Sequence, residues 1–153
     1  MATTPSERLR ELGLVLPAVA PPAGAYVPAR RTGSLVFTAG QVPFVDGALA
    51  ATGKVGAEVD VEQAQELARI CALNALAAVD GLVGIDAVTG VVKVVGFVAS
   101  ATGFTGQPAV VNGASNLLGE VFGEAGQHAR SAVGVAELPL GAPVEVELVV
   151  EVA

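Results

Sequence analysis

The sequence predicts an α+β domain, one mixed sheet with two helices packed on a single face. Three observations predict it. Residues 144–152 alternate, with Val144, Val146, Leu148, Val150 and Val152 on one side and Glu145, Glu147, Val149 and Glu151 on the other, the period of a half-buried strand. From Asp60 onward, Ala64, Leu67, Ala68, Cys71, Ala75, Ala78, Val79 and Leu82 recur at three- and four-residue intervals and make one apolar helix face. Finally, the order of elements is strands, helix, strand, helix, strands, with residues 91–100 as a β-branched central strand.

Taken in order, residues 6–16 are expected to form a short helix, capped by Ser6, with Leu9, Leu12 and Leu16 along one side. Residues 17–24 hold three prolines and read as an extended linker. Residues 1–23 are therefore expected to be an N-terminal helix and linker, ahead of a single domain at 24–153. Two short strands are expected near residues 26–30 and 35–39, joined by a tight turn at Thr32-Gly33-Ser34. Residues 40–56, punctuated by Pro43, Asp46-Gly47 and Gly53, read as a loop. Asp60 and Gln63 have capping-box spacing at the start of the long helix, and Gly81 and Gly84 are expected to end it. Pro108 opens the second helix, whose buried stripe is Val110, Ala114, Leu117, Leu118 and Val121. A break at 123–126, a strand at 131–137 and a turn at 138–143 lead into the final strand.

Composition narrows the function. Apolar residues make up 52% of the chain and charged residues only 15%, a surplus that predicts burial between subunits of a homo-oligomer. A partner is also the economical cover for the sheet face that the helices leave open. No apolar run approaches the ~20 residues that cross a bilayer, so no membrane role is expected. The net charge is −7 and the eight Lys and Arg residues are scattered, which excludes a basic groove for nucleic acid. Glu7, Arg8, Arg10 and Glu11 stand where a signal peptide needs an apolar core, and Cys71 has no second cysteine to pair with. A cytoplasmic location is expected.

Few residues could carry chemistry. His128 is the single histidine, so no His-rich metal site is expected, and it reads as an exposed or loop-capping side chain. Cys71 falls on the apolar helix face and reads as a small core residue. The glycines of Gly81-x-x-Gly84 follow a helix instead of opening one, so they are no phosphate loop, and there is no serine nucleophile elbow. What remains is Arg130, just ahead of an apolar strand, and Glu145, which opens the last one. A guanidinium there could grip a carboxylate through two parallel hydrogen bonds, and a carboxylate in a partly dry setting could activate water. On residue types alone, a structural Arg–Glu pair on a solvated face explains them better.

Several segments together resemble a known family. Residues 129–139 (ARSAVGVAELP), followed by Val144-Glu145-Val146-Glu147, are similar to the C-terminal signature of the RidA/YjgF/L-PSP family. Gly24-Ala25-Tyr26-Val27-Pro28 and residues 35–43 (LVFTAGQVP) resemble its N-terminal segments, and Asn112 sits on the second helix as in the family. The resemblance implies a chorismate-mutase-like fold and a homotrimer with clefts between subunits. It implies hydrolysis of reactive imines and enamines to 2-keto acids and ammonia, with neither metal nor organic cofactor. Carried over residue by residue, Arg130 would bind the substrate carboxylate and Glu145 would position the water. Tyr26, Ala39, Gly40, Asn112 and Ala132 would line the pocket. Ala39 replaces a family serine, Ala132 a cysteine found in some members and His128 a common proline, so the resemblance is to a divergent subgroup. The alternative function is a non-catalytic trimer that binds a carboxylate metabolite. A ribonuclease, an activity attached to some relatives, is opposed by the charge.

Overall fold

A computed structural model describes residues 2–153. Its elements are α1 (Pro5–Glu11), β1 (Ala29–Thr32), β2 (Leu35–Thr38), β3 (Phe44–Val45), β4 (Ala48–Leu49), α2 (Val61–Val83), β5 (Val88–Ala99), α3 (Gln107–Phe122), β6 (Ala129–Val135) and β7 (Val144–Val152). Five strands form one sheet in the order β1-β2-β7-β5-β6, and β3 pairs with β4 as a separate hairpin. Only β5 and β6 run parallel, joined by α3 as the crossover that a parallel pair requires. The mixed sheet and its class are those the sequence predicts.

The last strand is the sheet's middle. Its inward residues Val144, Val146, Leu148, Val150 and Val152 are all buried, and α2 and α3 lie over that face. The α2 stripe is buried as its spacing predicts, except for Leu82, which is exposed at the helix end. The two helices approach closely where Gly113 faces α2; a Cβ there would run into the Gln65 carbonyl. Asp60 caps α2 by accepting from the Gln63 amide at 2.8 Å, and Gly84, at φ 82°, closes it.

Four sequence expectations shift by local physics. First, α1 is shorter than residues 6–16 and is capped by Thr4, which forms a reciprocal box with Glu7. Ser6 turns instead to the Asp86 carboxylate, donating from its amide at 2.8 Å and its hydroxyl at 2.6 Å. Second, Gly81 lies inside α2, and a Val19 methyl sits 3.1 Å from where its Cβ would be. That glycine makes room for the linker and stops no helix. Third, residues 40–56 contain the β3–β4 hairpin, turned by Asp46 (φ 51°) and Gly47 (φ 82°), both in the left-handed region that such two-residue turns need. Fourth, the strand expected at 131–137 starts at Ala129, which places Arg130 within β6.

Two ties then position the site. Asn74 is buried on α2 and donates from Nδ2 to the carbonyls of Val42 and Phe44, both at 3.1 Å, holding the loop after β2 against the helix. The N-terminal segment is fastened too. Leu9 is buried in the core, and Arg8 Nε donates to the Glu120 carbonyl at 2.8 Å. Leu9→Ala is expected to destabilise the chain by about 2–3 kcal/mol, measured by urea unfolding; a change below about 0.5 kcal/mol would mean that α1 rests on the core without belonging to it.

Candidate functional site

The candidate residues gather in two places. The first is the edge strand β6 and the face of α3 above it. Arg130 pairs in register with Val94, a buried residue, so its side chain leaves the sheet on the helical face. Its Nη1 donates to Asn112 Oδ1 at 2.8 Å and to Ser115 Oγ at 3.2 Å, and Nη2 donates to the Pro108 carbonyl at 3.2 Å. Asn112 and Ser115 lie three residues apart on α3, the spacing that brings two side chains to one face. Of the five N–H groups of a guanidinium, Nε–H and one on Nη2 remain without a partner among the described residues. Two such donors are what a carboxylate takes from an arginine.

His128 belongs to the same cluster. Its Nδ1 lies 2.6 Å from the Gly126 carbonyl and its Nε2 lies 2.9 Å from Ser115 Oγ. A carbonyl can only accept, so Nδ1 carries a proton. With the ring neutral, Nε2 accepts the Ser115 hydroxyl proton, and Ser115 keeps a lone pair for Arg130. The Gly126 bond fits the loop-capping role expected of this histidine, but its reach to Ser115 had no sequence signal. Ser115 was missed altogether, because a serine mid-helix carries no pattern that points to a partner on another element. Ala132 lies on the same face of β6, partly buried against the core.

The second place is a cavity of about 390 Å³ at the start of β7, lined by Tyr26, Gly40, Gln41 and Glu145 together with apolar side chains. Gln41 exchanges backbone bonds with Val146 (2.8 and 3.0 Å), which aligns the loop with β7. Glu145 lies between inward Val144 and Val146, so it leaves the sheet on the opposite face from Arg130. It is half-buried, and its carboxylate occupies the space that a Cβ at Gly40 would take, so a side chain there would displace it. Burial first, and the neighbouring Glu147 charge second, raise its proton affinity above the ordinary carboxylate value. The Tyr26 hydroxyl accepts the Ala23 amide at 3.1 Å. Ala39 adjoins Gly40 but is tied by its amide to the Pro28 carbonyl at 2.8 Å and does not line the cavity.

The arrangement is therefore an arginine with two N–H groups unpaired among the described residues on one face of the sheet, and a carboxylate in a largely apolar hollow on the other. Among the described residues no group of His, Cys, Asp and Glu could hold a metal ion.

Fold and site together define a small α+β protein whose candidate binding groups are split between the two faces of one sheet. The sequence profile of the family described as "YjgF/chorismate mutase-like, putative endoribonuclease" matches residues 6–152, and the chain belongs to that family. Protein TCP17 of Trypanosoma cruzi is 46% identical over 145 residues, covering 94% of this chain and 91% of that protein. A crystal structure from Shewanella oneidensis, described as a putative endoribonuclease, is 34% identical with a TM-score of 0.94, covering 97% of this chain and 99% of that one. E. coli TdcF, solved with bound serine, is 26% identical with a TM-score of 0.64, covering 90% and 94%.

One consequence of the Glu145 setting is measurable without any ligand. Where the folded chain holds a proton on Glu145 that the unfolded chain has lost, ionisation costs stability, so the cost grows as pH rises through the raised value. Glu145→Gln is expected to melt about 1–3 °C above the unsubstituted chain at pH 7. The gain should vanish below the ordinary value of 4.5. A thermal melt series across pH checks it, and equal melting at every pH would mean that Glu145 is well solvated.

Proposed function

We propose that this chain is a cofactor-independent deaminase that hydrolyses reactive 2-imino acids and enamines to 2-keto acids and ammonia, in clefts between the subunits of a homotrimer. The observation that carries the reading is Arg130, fixed by three hydrogen bonds with two donors left over for a carboxylate. Glu145 supplies the second requirement. A half-buried carboxylate with raised proton affinity is suited to take a proton from an attacking water near neutral pH. A protonated imine is already electrophilic, so orientation, water and a counter-charge suffice.

Arg130 and Glu145 leave opposite faces of the sheet in one chain. A ligand the size of an amino acid reaches both only if the Arg130 of one subunit faces the Glu145 cavity of another. Exposed Phe37 and Val133 on the face away from the helices favour such packing. The serine bound by E. coli TdcF is a ligand of the expected size and charge. An RNA substrate is opposed by the net charge of −7.

Ammonia release from freshly generated 2-aminoacrylate and larger imino acids tests the reading. Arg130→Ala is expected to lower kcat/KM by about 100-fold or more while the chain stays folded, since the lost bonds are charge-assisted and made to substrate. Glu145→Gln should reduce kcat more than it raises KM; equal losses would deny it the water-positioning role. No release from a confirmed trimer, with a 2-keto acid still raising the melting temperature, would favour a carboxylate-binding trimer instead. Sedimentation at micromolar concentration should give a trimer, and a monomer would remove the intersubunit cleft.

A further inference from the structure

We infer that the cavity beside Glu145 selects substrates with apolar side chains, and that residues 20–23 and Leu140 are its specificity-determining walls. The inference rests on the deaminase reading and extends it from the reacting centre to the substrate's side chain.

The cavity lining is mostly carbon. Pro21, Pro22, Val42, Phe44, Pro139 and Leu140 surround it, and no lysine, arginine or histidine lines it. Glu145 is the only carboxylate among the described lining residues, and the Arg130 that reaches in from a neighbouring subunit is taken up by the substrate's own carboxylate, so an anionic substituent would meet repulsion and desolvation with no second cation to answer it. Its volume of about 390 Å³ leaves space well beyond a methyl group.

Leu140 is the most telling residue. Its backbone lies at φ 63°, ψ 13°, a left-handed conformation that costs a bulky L-residue, yet its side chain is 68% exposed. Glycine would take that turn freely, and the packing within the chain gives no reason for leucine. A strained, exposed leucine on the wall of an apolar cavity is explained by what enters the cavity.

The opposite wall comes from the N-terminal segment. Pro21 and Pro22 have no N–H to offer and a fixed φ, so they present rigid carbon surface. Three contacts hold that wall in place. The Ala23 amide donates to the Tyr26 hydroxyl at 3.1 Å, Val19 packs on Gly81, and Ser6 bonds Asp86 at the far end of the segment. Tyr26 thus has a second task besides lining the pocket, since its hydroxyl latches the wall.

Calorimetric titration of the assembled protein with 4-methyl-2-oxopentanoate, pyruvate and 2-oxoglutarate tests this, beside ammonia release from the matching imino acids. The branched apolar acid is expected to bind at least about 10-fold more tightly than pyruvate, and 2-oxoglutarate no more tightly than pyruvate. Leu140→Gly should bring the ratio of the first two to within about 3-fold. Because glycine relaxes the left-handed turn, that loss cannot come from unfolding. The double variant Pro21→Gly, Pro22→Gly should lower the ratio as well. Equal binding of all three acids, a preference for 2-oxoglutarate, no binding at all, or ratios unmoved in both variants would overturn the inference. An apolar preference in binding without ammonia release would end the deaminase reading and leave this one standing. Ammonia release at equal efficiency from small and large imino acids would do the reverse.

Discussion

The alternating face of β7 is the interaction on which the remainder of the molecule depends. Val144, Val146, Leu148, Val150 and Val152 are buried, with α2 lying over them, and form the floor of the core. The same strand pairs with β2 on one side and β5 on the other, so it sets the register of both halves of the sheet. Thr38 is buried beside it and accepts the Leu148 amide at 3.0 Å, which adds a side-chain bond to the ladder. A one-residue slip would turn the valines out and the glutamates in, at a cost no small domain could absorb. The burial that fixes the core therefore also fixes Glu145 on the far face, next to the loop that Gln41 pins.

That constraint explains why the candidate groups divide. Arg130 extends from an edge strand toward α3, where Asn112, Ser115 and the Pro108 carbonyl take up three of its N–H groups. Glu145 emerges two strands away on the other face. The pleat assigns them opposite directions as firmly as it buries the valines. Within a single subunit the Arg130 guanidinium and the Glu145 carboxylate therefore leave the sheet in opposite directions. The network behind Arg130 orients its guanidinium, since Asn112 and Ser115 accept from Nη1 and Ser115 is bonded in turn to His128, which the Gly126 carbonyl holds.

Much of this was legible in the sequence, where a pattern is the cause of the structure. The period of two in β7, the helical stripe of α2 and the Asp60 cap all follow from residues within one element. Arg130, Asn112 and Glu145 were legible through resemblance, since spacing alone would have left them as surface polar groups. What escaped depends on contacts between elements. Ser6 reads as a cap on paper, and only the place of Asp86 shows that its side chain is taken up elsewhere. Gly81 looks like a helix stop until Val19 is seen lying on it. The β3–β4 hairpin has two residues a side, too few for any period to register. Ser115 and Leu140 drew no notice because one is a polar residue on a helix and the other an apolar residue in a turn. Their significance lies in what faces them.

The position of β7 has a consequence for how the chain comes together. The hairpin of β1 and β2 can close by itself, but the neighbour that β2 needs lies 110 residues further on, as the bond between Thr38 and Leu148 records. Until β7 arrives, β2 and β5 each present an open, valine-bearing strand edge, and α2 has no floor to rest on. Such long-range pairing must meet the entropy of closing a large loop before any contact offsets it, which slows assembly and leaves sticky edges exposed in the interval. A newly made chain is most open to aggregation in that interval, before the last strand covers those edges.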